Sequence, residues 1–84
     1  MITVKFFSMV REALNIGETQ VEPDPGMTTV SALKCALVDA NGEHWHEVLN
    51  QPNIIHAVNQ VVVAPDAPVE DGDEVAFFPP MTGG

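Results

Sequence analysis

"MITVKFFSMVREALNIGETQVEP", residues 1–23, holds two runs of strand periodicity around one helical stretch, and that order decides the fold. In "MITVKFF", Ile2, Val4 and Phe6 alternate with Thr3, Lys5 and Phe7, the two-residue period of a strand with one buried face. Ile2, Val4 and Phe6 are expected to face the core. "SMVREALNI" predicts a short helix with Ser8 as its N-cap, Met9, Val10 and Leu14 toward the buried side, and Gly17 closing it. "ETQVEP" alternates again and stops at Pro23, which predicts a second strand paired with the first.

Outward from this hairpin, "DPGMTTVSALKCALVDANG" reads as turn residues followed by a helix. Its apolar positions Val30, Leu33, Leu37 and Val38 recur at helical spacing, Thr28 or Thr29 would cap it, and Gly42 would end it. "EHWHEVLNQP" fits either one more short helix or a loop, stopped by Pro52. "NIIHAVNQVVVAP" predicts two short strands around a tight turn at Asn59 and Gln60, and Asp71-Gly72 a turn before a last strand, Glu74 to Phe78. Strand, strand, long helix, then two or three strands is an α+β order, and the hairpin-first arrangement points to a ubiquitin-like β-grasp: a mixed sheet with one main helix across it. Residues 1–78 form this domain and residues 79–84 an extended C-terminal tail.

A chain of 84 residues accommodates one core, burying roughly 60% of the surface its unfolded form exposes. Apolar residues make up 45% of it, too many for a disordered chain. No apolar run approaches the roughly 20 residues that span a bilayer. "MITVKFF" lacks the basic start and cleavage site of a signal peptide, so a soluble, cytoplasmic protein is expected. The single cysteine, Cys35, suits a reducing compartment. Its place in "VSALKCALV" predicts a buried small hydrophobe. Twelve acidic against three basic residues give a formal charge of −9, which repels nucleic acid and anionic membranes and suits a partner with a basic face.

His44 and His46 in "EHWHE" are two residues apart, so on a helix they diverge, and no third ligand is near in sequence. No metal site is expected there, and Trp45 between them reads as partial core or a lid. The acidic "VEDGDE" follows neither a calcium loop nor a catalytic acid pair. With no nucleophile elbow, phosphate loop or cysteine–histidine pattern, the chain is not expected to carry an active-site pocket of its own.

The outward faces of the strands carry more. If Phe6, then Val75 and Phe77, then Val61 and Val63 point inward, Phe7, Phe78 and Val62 point out together, and a contiguous apolar patch marks a partner site. Pro79 and Pro80 would then carry the chain away as a stiff spacer. The six residues from Pro79 through Met81, Thr82, Gly83 and Gly84 could reach about 20 Å. Without Cβ atoms, Gly83 and Gly84 let a narrow cleft close on the backbone and leave the last carboxylate open to another protein's active site.

"VREAL", "HAVNQ" and above all "DGDEVAFFPPMTGG" resemble the small subunits of molybdopterin synthase, a family of ubiquitin-like sulfur carriers, over the whole length. The resemblance implies that an ATP-dependent activating enzyme adenylates the Gly84 carboxylate, with no cofactor bound by the chain itself. A sulfur donor then displaces AMP to leave a thiocarboxylate. The tail, Pro79 to Gly84, would enter the large subunit, where the pocket lies and the sulfur is given to a pterin precursor as dithiolene sulfur. Phe7, Val62 and Phe78 match the family's docking patch, and a heterotetramer of two small and two large subunits is implied. Two alternatives share the fold: the sulfur carrier of thiamin biosynthesis, usually shorter and without the "FFPP" lead-in, and a ubiquitin-like binding module that is never activated.

Overall fold

The period-two alternation of "MITVKFF" and "DEVAFF" becomes two neighbouring central strands in the computed structural model, which describes residues 1–80. The elements run β1 (Ile2–Phe6), α1 (Ser8–Leu14), β2 (Glu18–Val21), α2 (Val30–Asn41), α3 (Glu43–Leu49), β3 (Ile55–Val58), β4 (Val61–Val63) and β5 (Glu74–Phe78). One five-stranded sheet has the order β2-β1-β5-β3-β4. Strand β1 is antiparallel to β2 and parallel to β5, so the sheet is mixed and the class is α+β. This is the β-grasp that the hairpin-first order predicts.

The core lies between one sheet face and the helices. Ile2, Val4, Phe6, Val75 and Phe77 are fully buried on the sheet side, and Val30, Leu33 and Leu37 answer them from α2. Phe6 stacks on Phe77 at 6.0 Å between ring centroids and meets the edge of the half-buried Trp45 at 5.4 Å. Trp45 is thus partial core, on a segment that is helical rather than a loop. Thr29 Oγ1 accepts from the Ala32 N–H at 3.1 Å as the α2 cap. The loop before β5 supplies further partners at that helix end, since the Val30 and Ser31 N–H groups donate to Ala67 and Pro65 carbonyls at 3.0 and 2.9 Å. Gly42, at φ +97°, ends α2 as its position predicts.

Several sequence expectations fail for identifiable reasons. Ser8 does not cap α1: Phe7 holds the N-cap position in extended backbone, its carbonyl accepts from Val10 at 3.2 Å, and Ser8 itself takes φ +54° to turn the chain off the strand. Met9 is exposed while Val10 and Leu14 are buried, because a seven-residue helix lays only one narrow stripe on the sheet. Asn15 at φ +58° closes that helix; Gly17 instead lies beneath the Arg11 guanidinium, 2.8 Å from where a Cβ would stand. Cys35 is exposed. Leu33 and Leu37 fix the buried side of α2, and at about 100° per residue position 35 falls nearly opposite to them. Val61, expected inward, stands open at the start of an edge strand, while Val63 packs on the core.

Candidate functional site

The sheet face away from the helices carries the candidate site, and strand register assembles it. Phe77 faces the core, so Phe78 and Ala76 face the other way; Ala57 lies opposite both Ala76 on β5 and Val62 on β4. Phe7, one residue past β1, joins them from the other side. Its ring meets that of Phe78 edge-on at 6.5 Å. Phe7, Val62 and Phe78 thus line one open concavity of about 510 Å³, as their outward parity predicts. Phe7 is 44% exposed, Val62 67%, and Phe78 half-buried.

Ala57 and Ala76, paired in register, form the floor of that concavity, and sequence reasoning missed them. The signal was available: alanine stands at outward strand positions where larger residues flank it, and a small residue among large ones makes a dip. Lys5 and Glu74, also lining it, pair across the sheet at 3.2 Å. The concavity therefore offers mostly apolar contact with a neutralised polar rim.

The turn between β3 and β4 is pinned beside this face. Asn59 and Gln60 take φ +50° and +70°, the left-handed pair of a tight hairpin turn. Asn59 Nδ2 donates to Asp73 at 3.0 Å, and its Oδ1 accepts from the Glu74 N–H at 3.0 Å. The lead-in to β5 is held at its other end by the chain terminus: the Met1 ammonium pairs with Asp71, which keeps that carboxyl below its ordinary pKa, and Gly72 N–H donates to the Met1 carbonyl at 3.0 Å.

Pro79 lines the same concavity, and Pro80 follows it half-buried, so the chain leaves the sheet from the apolar wall itself. Met81, Thr82, Gly83 and Gly84 lie outside the described residues. The histidines sit elsewhere: His44 Nε2 donates to the Ala13 carbonyl at 2.7 Å, linking α3 to α1. Among the described residues no three His, Cys, Asp or Glu side chains are grouped to hold an ion, and no helix is long and apolar enough to cross a membrane.

The family profile described as the ThiS family matches residues 4–84. The chain belongs to the ThiS family. The molybdopterin synthase sulfur carrier subunit of Escherichia coli is 45% identical over 84 residues, the full length of both chains, which bears out the resemblance to molybdopterin synthase small subunits. Among solved structures, SAMP1 from Haloferax volcanii is 28% identical, with a TM-score of 0.75 over 99% of this chain and 98% of that one. A complex of subunits 1 and 2 of the molybdopterin-converting factor from Helicobacter pylori contains a chain of the same fold, 21% identical, with a TM-score of 0.67 over 99% of this chain and 97% of that one. The ThiS-family match runs through the last residue, so both the residues lining the open-face concavity and residues 81–84 fall inside it.

Proposed function

We propose that this chain is the sulfur carrier subunit of a molybdopterin synthase, working in the cytoplasm and docking on a large subunit through Phe7, Val62 and Phe78. The carrying observation is that Pro79 belongs to the docking concavity, so seating the apolar wall and threading the tail become one event. The full-length match to the Escherichia coli carrier subunit supports the same reading, as does the pairing of subunits 1 and 2 in the Helicobacter pylori complex.

Residues 79–84 act as the reacting tail of a domain that ends at Phe78. A carboxylate is a poor electrophile until one oxygen becomes a leaving group, so the Gly84 carboxylate is first adenylated from ATP by an activating enzyme. A sulfur donor displaces AMP, leaving a thiocarboxylate. Glycine at 83 and 84 keeps the approach channel narrow, and Pro79 and Pro80 limit the conformations the tail must give up on entry. The large subunit supplies the pocket, and each thiocarboxylated carrier supplies one of the two sulfur atoms of the dithiolene. A −9 surface suits a partner whose pocket is basic enough to hold a phosphate-bearing pterin. Two carriers and two large subunits make the assembled enzyme.

The test is intact-mass measurement after incubation with the activating enzyme, ATP and a sulfur source. Wild type should gain the mass difference between sulfur and oxygen at Gly84, and a variant extended by one residue, its carboxylate moved by about 3.5 Å, should not. An extended variant that gains it equally would refute the carrier reading, and transfer only to a thiazole synthase would assign the chain to thiamin biosynthesis.

A further inference from the structure

On the core face of the sheet, β3 carries a buried polar side chain that the carrier role does not use. His56 is 8% exposed and stands in register with Val63 on one side and Phe77 on the other, its ring edge-on to Phe77 at 5.5 Å. Its ring nitrogens hydrogen-bond to no protein group among the described residues. No sealed side-chain nitrogen or oxygen there lacks a partner, so these nitrogens are not sealed off, and His56 lines the adjoining cavity. That cavity, of about 440 Å³, is walled by Leu49, Ile54 and Val63, and Lys34 of α2 stands at it with His56.

We propose that this cavity is a binding site for a carboxylate borne on a short apolar group. Lys34 forms no ion pair among the described residues, whereas Lys5 is paired with Glu74. No acidic side chain lines the cavity, although the chain has twelve. The unpaired ammonium of half-buried Lys34 and an unpartnered imidazole therefore make one positive recess in a strongly negative surface. The apolar wall disfavours a fully hydrated phosphate and accommodates a hydrocarbon body beside the carboxylate. Burial first, and Lys34 second, hold the His56 pKa below its ordinary value, so at neutral pH the ring is uncharged and offers one N–H donor. The charged group facing it is Lys34 from α2; β4, β5 and the segment after α3 present Val63, Phe77, Asn50 and Gln51. A bound carboxylate stabilises the imidazolium, so binding tightens as pH falls. The carboxylate could be a free small acid or an acidic side chain of a docked partner, because Val62 lines both this cavity and the docking concavity.

The experiment is a titration of isotope-labelled wild-type protein with sodium butyrate at fixed ionic strength, followed by the His56 ring and backbone amide resonances. Saturable shifts at Lys34, His56 and Val63 are expected, with a Kd on the order of 1 mM. They should come with a rise in the His56 pKa and no response to butylammonium. Lys34→Met should weaken binding about tenfold. His56→Gln, which keeps a donor, should retain binding but lose its pH dependence. Shifts that stay linear in butyrate, that butylammonium reproduces, or that Lys34→Met leaves unchanged would overturn the site; none of these bears on sulfur transfer, so the carrier reading stands or falls separately. A second arm, resting on that reading, repeats the titration in complex with the large subunit. Exclusion of butyrate with a His56 signature already present assigns the carboxylate to the partner, continued binding assigns it to a free acid, and both uphold the site.

Discussion

Phe7→Ala separates docking from folding, because the backbone of Phe7 does its structural work and the ring does not. The Phe7 N–H donates to Phe77 at 3.2 Å and its carbonyl caps α1, and alanine keeps both. The residue is 44% exposed. A phenylalanine offers about 200 Å², so about 90 Å² remains for a partner to cover, and at about 25 cal/mol per Å² that is about 2 kcal/mol. The Kd for the large subunit should therefore rise about 30-fold. Met9→Ala is the matched control: Met9 is 50% exposed and only two residues away, but outside the concavity. Calorimetric titration of the large subunit with each variant, after checking that both melt cooperatively, gives the two constants. If Met9→Ala weakens binding as much as Phe7→Ala, exposed hydrophobicity rather than the concavity drives association, and the assignment of the face is wrong.

His56 is protonated less readily in the fold than its ordinary 6.5, so its contribution to stability is present above that pH and is lost as pH falls through the folded pKa. Urea unfolding of His56→Gln across that range should lack the increment that wild type loses. Thr29→Ala removes the α2 cap bond and should cost about 1 kcal/mol in the same assay, with docking unchanged. Gln60→Gly relieves a left-handed non-glycine residue in the β3–β4 turn and should stabilise the domain by about 0.5–1 kcal/mol. Cys35, being exposed, should react with a disulfide reagent in the native protein as fast as in urea, and Cys35→Ser should change stability by less than about 0.5 kcal/mol.

Strand parity was the most legible feature of the sequence, because one buried face forces alternation: the placement of Ile2, Val4, Phe6, Val75 and Phe77 followed from it directly. The long helix was legible for the same reason at a different period, and its cap and stop residues stand where their chemistry puts them. The failures cluster where burial is decided by a neighbour that local sequence does not name. Met9 and Val61 are apolar and exposed because α1 is short and β4 is an edge, facts of tertiary arrangement. Cys35 lies within an apolar run but nearly opposite Leu33 and Leu37 round the helix, so the run as a whole does not tell its side. Nothing local in the sequence marks His56, because the cavity beside it is made by α2, β4 and the segment after α3, which no local window brings together.

The open-face concavity is specified as tightly as the core, and its floor, Ala57 and Ala76, is itself buried. Its floor exists because Ala57 meets Ala76 in register, and the same register sets His56 against Phe77 on the opposite face. A slip of one residue between β3 and β5 would turn every side chain of a strand over, sending Phe77 toward water as surely as it would fill the dip. Burial of Phe6 and Phe77 holds that register, so the helix-covered face fixes the shape of the uncovered one. Open-face substitutions that keep the backbone can therefore alter partner choice at little cost to stability. That independence is what a carrier requires if one tail is to be presented first to an activating enzyme and then to a synthase.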